Sequence, residues 1–529
     1  MVSSMTTNID DARIEHEVTQ YYRYATFSHR WEDKEPLFEK VIHVVVYKLE
    51  ESLTHNKLRT FCKIVRDDGL HWAWSDTCCI NKADHFILQE ALVSMFKWYE
   101  GSTVTIVYLR DVRSSGDLVK SVWNQRAWTF QEYHASKVVR FYTEDWTPYL
   151  NLDIPNHKES PEIISEMEKA TSISPQILTS LCPGLDDIRA KLSLASRRKT
   201  TLTEDAAYSL LGIFSASLPI LYGEGDKALG KLLAQLLTSS GDTSILAWTG
   251  KSGTFNSCLP FEIAVFSQPP TTHIPPSITE MDRATSGLHV STSYFDQAEK
   301  LYRKLGDLPV PMLADKRMRL PCISFKLGRL SLSRNESDRV YRALTDGLGI
   351  VEIRTKEDLS RFETLYLVHP WIDFLLHRHP VGSIVETTTP EGSIDGRSDV
   401  SSSAGPSSSP LPPPRTTTAT TILARRSHFA SRFKTLQFPG RTGTGLTFAG
   451  PAHDTTSLLP PASISADDRR THVLQFIVRL RQPFGALLLT PTRQNACKRV
   501  AADCVIEVKV LEGASLKELC KSADILDVL

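Results

Sequence analysis

Thr103 to Leu109 reads TVTIVYL, a nearly continuous apolar run of the kind found in a strand buried on both faces. The pattern repeats outward from it. Upstream, Phe86 to Tyr99 places Ile87, Leu88, Ala91, Met95 and Trp98 on one helical face, and Leu70 to Ser75 (LHWAWS) reads as a strand. Before that, Lys57 to Asp68 carries Leu58, Phe61, Cys62 and Val65 at helical spacing and is stopped by Gly69, while Tyr22 to Ser28 (YRYATFS) is a β-prone run. Downstream, Trp123 to His134 reads as a helix and Lys137 to Tyr142 (KVVRFY) as a further strand. Strands alternating with helices predict an α/β fold, a parallel sheet covered by flanking helices.

Beyond this unit the pattern changes twice. Pro161 to Ser240 reads as mostly helical, with Ala228, Leu229, Leu232, Leu233, Leu236 and Leu237 forming one apolar stripe over Asp226 to Ser239. After Asp242 come short β-prone runs: SILAW, GLHVSTSYF, LPCISFKL, VYRAL, LGIVEI and ETLYLV, then HVLQFIVRL and RVAADCVIEVKVL. Between them, Glu386 to Thr421 is dominated by Ser, Thr, Pro and Gly and offers too little apolar surface to offset the entropy of ordering it. The expected organisation is an α/β domain over 1–150, a helical extension over 151–250, a β-rich region over 251–385, a disordered linker over 386–421 and a β-rich continuation over 422–529.

Sixty-one Lys and Arg balance sixty-one Asp and Glu in the 529 residues, which argues against a dedicated nucleic-acid binder. The Arg and Lys residues after the linker (Arg425, Arg426, Arg432, Lys434, Arg441) form no dense block. No run of eighteen apolar residues occurs, so no spanning helix is expected, and the first residues lack the apolar core of a signal peptide. The nine cysteines include no C-x-x-C pair and predict neither a metal site nor a disulfide framework. A soluble, cytoplasmic protein with mostly buried free thiols is the expectation.

Three clusters concentrate polar and aromatic residues in the first domain. Ser28-His29-Arg30-Trp31 follows the first strand, at the carboxyl edge where open α/β sheets place ligand sites. Trp72 to Asn81 (WAWSDTCCIN) ends the second strand and brings Asp76 to the same edge; its tandem Cys78-Cys79, among apolar neighbours, reads as buried rather than nucleophilic. Trp123 to Glu132 (WNQRAWTFQE) sets Trp128 and Glu132 four apart, on one face of a helix. A carboxylate beside an aromatic platform suits cleavage at a sugar, where an anion steadies an oxocarbenium-like ribose and a ring stacks on a flat base. A structural reading stands beside each: a strand-end turn whose Trp packs inward, a buried thiol pair, and a surface Glu paired with Arg126. Gly225 to Lys231 fits the phosphate-loop spacing G-x-x-x-x-G-K, but Leu232 replaces the magnesium-binding Ser or Thr, and the second glycine falls inside a helix. His369, His377 and His379 lack partners at ligand spacing.

The blocks YATFSHRWEDKEP, WSDTCCINKADHFILQEALVSMFKWY and SVWNQRAWTFQE, in this order, resemble the signature blocks of the fungal heterokaryon-incompatibility (HET) domain. The stretch from Leu202 to Trp248 resembles the segment that follows that domain. Glu32 stands where Gly is frequent, Ala127 where R-G-W is usual, and Lys82 where Gln is common. The resemblance implies a role in non-self recognition leading to growth arrest or cell death. It also implies remote similarity to TIR domains, some of which hydrolyse NAD with a glutamate four residues after a tryptophan, the spacing of Trp128 and Glu132.

Two functions are therefore expected. In the first, a signalling NAD glycohydrolase gated by self-association, Glu132 holds the ribose. Trp31 or Trp128 stacks on a base, Arg30 and Arg126 face the pyrophosphate, and Ser28, His29, Asp76 and Gln131 order the pocket. NAD is then a substrate and no cofactor is required. In the second, a non-enzymatic adaptor, the domain associates with other HET or TIR-like domains through Trp128 and Phe130. Glu132 is expected on an exposed helical face, so that its replacement would spare the fold.

Overall fold

The structure, a computed structural model, describes residues 17–268, 283–285, 288–335, 339–345, 348–371, 466–504, 506–508 and 515–529. The expected linker 386–421, the basic residues that follow it, and His377 and His379 lie outside the described residues, which all fall in one compact unit. The N-terminal sheet holds β1 (Tyr24–His29), β2 (Trp72–Ser75), β3 (Val104–Tyr108) and β4 (Val139–Tyr142) in the order β2-β1-β3-β4, every neighbouring pair parallel. This is the start of the doubly wound order in which the chain leaves β1 in one direction and returns past it in the other.

The helices that join these strands pack in two separate cores, one on each face of the sheet. α1 (Leu53–Asp67) joins β1 to β2 and packs Leu58, Phe61 and Val65 with Ala25, Phe27, Ile106 and Tyr108. α2 (His85–Glu100) and α3 (Trp128–Ala135) belong to the other face, where Met95, Phe96, Tyr99 and Phe130 share a core with Trp74, Val107 and Phe141. Ser52 and Asp84 cap α1 and α2 by accepting from backbone N–H groups two to three residues on. Because strand side chains alternate, Phe27 faces α1 while Ser28 faces α3. The helix expected over Trp123 to His134 is broken in two. A 3₁₀ turn covers Val122–Gln125, Arg126 is extended (φ −79°, ψ 140°), and α3 starts at Trp128. The break is paid back by backbone bonds to Lys199, whose N–H reaches Gln125 O at 2.6 Å and whose carbonyl accepts from Ala127 at 3.0 Å.

That bridge introduces the helical extension, which includes α4 (Pro161–Thr171) and α5 (Lys227–Ser240). The expected α5 stripe is fully buried, in the same hydrophobic core as α2 and α3. Gly212 lies against the ring stem of Phe96 on α2, where a Cβ would overlap it. Gly230, inside α5, is likewise pressed on Phe255, a packing role that leaves nothing of a phosphate loop.

The C-terminal region contains β5 (Met312–Ala314), β6 (Arg317–Lys326), β7 (Ser331–Asn335), β8 (Arg339–Thr345), β9 (Gly349–Thr355), β10 (Tyr366–Pro370), β11 (Phe484–Pro491), β12 (Cys497–Val500), β13 (Ile506–Val508) and β14 (Ala523–Val528). Pairings β6–β10–β11–β12–β14–β6 close into a ring, and β7–β8–β9 form a separate meander. Three runs read as β-prone are not strands. HVLQFIVRL lies in α7 (Ala466–Leu480), because Val473, Phe476, Ile477 and Leu480 recur at helical spacing and all are buried. GLHVSTSYF leads into α6 (Thr292–Gly306), capped by Ser291, and SILAW forms a 3₁₀ turn capped by Asp242. Arg499 joins this region to the extension. Its buried guanidinium donates to Leu246 O (3.3 Å) and Trp248 O (2.8 Å) and lies 4.0 Å from the Trp248 ring centroid.

Candidate active site

At the carboxyl edge, where the strand order reverses, β1 delivers Ser28 between the loop before α3 and α3 itself. The Ser28 hydroxyl donates to Glu132 Oε2 at 2.5 Å and accepts from Trp123 Nε1 at 2.8 Å. Tyr99, on α2, donates to Phe27 O at 3.1 Å just beneath. Glu132 is 6% exposed, and Thr129 to Tyr133 are all buried, so α3 is an interior helix and the expectation of an exposed Glu132 is corrected. Its shortness and its burial on nearly all sides explain the missing amphipathic signal.

Asp76 follows β2 and accepts from Trp31 Nε1 at 2.9 Å. His29 is buried, with Nδ1 3.1 Å from Arg30 O, and its Nε2 stands 3.9 Å from Asp76 Oδ1. Glu35 lies 3.8 Å from His29 Nδ1 and is ion-paired with Lys57 of α1, which also donates to Arg30 O at 3.3 Å. The strand-end loop is thus held by a buried pair that sequence reading did not single out. Lys82 places its ammonium 3.5 Å from the Trp31 ring centroid.

Arg126 donates to His29 O at 3.2 Å, which ties the extended break before α3 to β1. Behind it the extension supplies Arg198, which donates to Arg126 O and Thr129 Oγ1, both at 3.0 Å. Trp128 lies beside Asp205, whose carboxylate accepts from Tyr222 at 3.0 Å. The structure therefore brings Ser28, His29, Trp31, Asp76, Arg126 and Glu132 together. Trp128 lies against the extension; Gln131 is buried, its Nε2 without a hydrogen-bond partner; and the Arg30 side chain is exposed. Of the tandem cysteines, Cys78 is buried but Cys79 is exposed, against the expectation for it; the Cys79 sulfur accepts from Ser75 N at 3.4 Å.

Burial dominates the electrostatics. It raises Glu132 to about 7, helped by the nearby Asp76 charge and opposed by the Ser28 hydrogen bond, Arg126 and Arg198. It raises Asp76 to about 6, opposed by Lys82 and Arg126. His29 is held well below its usual range by burial and by Lys57, so it is neutral. Two carboxyl groups poised near neutrality beside arginine, at the switch point of a parallel sheet, form a site able to hold or shed a proton and to stabilise developing positive charge.

Residues 24–118 match the family model described as heterokaryon incompatibility protein (HET), a match that covers β1 through β3 and ends before Glu132. A curated relative, the vegetative incompatibility protein HET-E-1 of Podospora anserina, is 32% identical over 231 residues. That alignment covers 41% of this chain and 16% of the relative. The chain thus spans about a sixth of the length of that relative. No solved structure gives a significant match. The similarity to the heterokaryon incompatibility family is thus carried by residues 24–118 and by the 231 residues aligned with that relative.

Proposed function

We propose that this chain acts in heterokaryon incompatibility by hydrolysing the nicotinamide–ribose bond of NAD, with growth arrest or cell death as the consequence. The observation that carries the reading is the enclosed Ser28–Glu132 pair, with Asp76 and Arg126 at its side. As the bond breaks, nicotinamide leaves as a neutral base with the bonding electron pair, so no general acid is needed. The ribose becomes oxocarbenium-like, and ionised Glu132 stabilises it until water adds and releases a proton, giving ADP-ribose. Ser28 orients the Glu132 carboxylate, and Asp76 and Arg126 set its charge state. Trp31, 40% exposed, is the ring we assign to stack on a base, since Trp128 is packed against the core. The enclosure of Glu132 means that turnover requires the strand-end loops to part, and we assign that opening to association of the domain. Nicotinamide release by the full chain, abolished by Glu132→Gln, tests the reading.

A second reading, an adaptor working through association alone, draws on a separate feature. Tyr22 stacks on Trp72 at 5.7 Å and Tyr21 meets it edge-on at 6.1 Å, all three exposed beside β2, the edge strand. Exposed aromatics at an unpaired strand edge suit a protein contact. Loss of self-association in Trp72→Ser, measured by sedimentation, with nicotinamide release absent from an associated wild-type chain, is the result this second reading requires.

A further inference from the structure

Lys82 follows Asn81 in the loop after β2, in a position where the family resemblance leads one to expect glutamine. Its ammonium nitrogen is shut off from solvent and has no hydrogen-bond partner. It rests instead on the ring of Trp31, 3.5 Å from the centroid. A ring face gives a cation only a fraction of what an oxygen acceptor gives, so three N–H donors are left unspent in a desolvated place. The neighbouring carboxylate does not absorb them. Asp76 attracts the lysine electrostatically, but its Oδ2 is taken by the Trp31 indole. Trp31 is itself 40% exposed, so the ammonium sits just under a ring that faces solvent. Arg126 acts on the same Asp76 carboxylate from β1's side and spends one guanidinium nitrogen on His29 O. Two cations thus converge on one acidic group at the carboxyl edge of the sheet, and one of them has no acceptor.

We infer that Lys82 is a phosphate-binding residue, whose ammonium leaves the Trp31 ring to take a phosphate oxygen of a nucleotide seated beside Asp76 and Arg126. The move also frees one face of Trp31 for a base. The inference rests on the reading of this edge as a nucleotide site, though not on hydrolysis. A purely structural role, in which Lys82 only offsets the Asp76 charge, is the alternative.

The test is calorimetric titration of the full chain with ADP-ribose, nicotinamide riboside (which lacks phosphate) and inorganic pyrophosphate, in wild type, Lys82→Met and Lys82→Arg. Lys82→Met should weaken ADP-ribose about tenfold or more, the worth of one charge-assisted hydrogen bond. Lys82→Arg should stay within about threefold of wild type, since a guanidinium also binds phosphate. Nicotinamide riboside should bind all three forms alike. Equal ADP-ribose affinity in wild type and Lys82→Met, absence of ADP-ribose binding in wild type, or an equal loss for nicotinamide riboside would each overturn the assignment. Pyrophosphate binding as tightly as ADP-ribose, with the same dependence on Lys82, would overturn the nucleotide in favour of a free anion. Because ADP-ribose binding needs no turnover, a chain that binds it through Lys82 yet releases no nicotinamide keeps this inference and loses the hydrolase.

Discussion

Ser28 and Glu132, 104 residues apart, are joined at 2.5 Å by a hydrogen bond that the serine hydroxyl donates while it accepts from Trp123. One small side chain thus links the end of β1, the turn before α3 and the single buried carboxyl of that helix. Ser28→Ala would leave the Trp123 N–H and one Glu132 oxygen without their partner in a place closed to water. The expected cost is about 1–3 kcal/mol, read from urea unfolding. The same change removes an influence that holds the Glu132 pKa down, so any activity requiring ionised Glu132 should shift to higher pH.

The contribution of Glu132 to stability should fall as pH rises through the neutral range, opposite in sign to that of buried neutral histidines such as His29. Glu132 is raised from 4.5 to about 7 in the folded chain. Between those values the folded state keeps a proton that the unfolded state has lost, so the contribution is full below about 4.5 and gone above about 7. Its size is on the order of 3 kcal/mol, and Asp76, raised to about 6, adds in the same direction. The unfolding free energy of wild type minus that of Glu132→Gln should therefore fall between pH 5 and pH 7.5, the histidine contributions cancelling in the difference. A difference that is the same at both pH values would contradict the burial argument.

Gly212→Ala tests whether the helical extension is part of the α/β unit. Its Cβ would overlap Phe96 of α2, and overpacking of this kind costs about 1–3 kcal/mol. A single unfolding transition moved as a whole is the expected result. Separate transitions for the two parts would mean that they are independent domains.

Arg499→Met should loosen the contact between the C-terminal ring and the extension. It removes two hydrogen bonds to the Leu246 and Trp248 carbonyls and the stacking on Trp248. Faster amide exchange at 245–250 and about 1.5–3 kcal/mol of lost stability are expected, the scale of hydrogen bonds made by a charged group.

The strands of the first sheet were legible because each is a short apolar run bounded by helices of clear period, and β3 most plainly so. The order of the strands, which sets Ser28 against Glu132, carries no local signal, since the alternation alone is compatible with several orders. The spacing from Trp128 marks Glu132, but nothing in the sequence marks its burial, because α3 is covered on nearly every side and leaves no polar stripe to read. Arg198 and Asp205 carry no local signal, since only the folded extension brings them behind α3. Lys57 and Glu35 carry no local signal either, since their pairing and burial arise only when α1 packs under the strand-end loop. The run at 472–480 reads as a strand because four of its nine residues are β-branched or aromatic, whereas its burial follows a period of three and four.

The most direct measurement is NAD consumption and nicotinamide release by the purified full chain, assembled through a fused oligomerising tag, with Glu132→Gln beside it. Glutamine keeps the size of the side chain and can still bond Ser28, so the fold should persist and circular dichroism should confirm it. Nicotinamide and ADP-ribose appearing in equal amounts with wild type, and absent with Glu132→Gln, is the expected result. A folded, assembled wild-type chain that leaves NAD intact, or a Glu132→Gln chain that releases nicotinamide at the wild-type rate, would contradict the assignment of Glu132 as the residue that cleaves the bond.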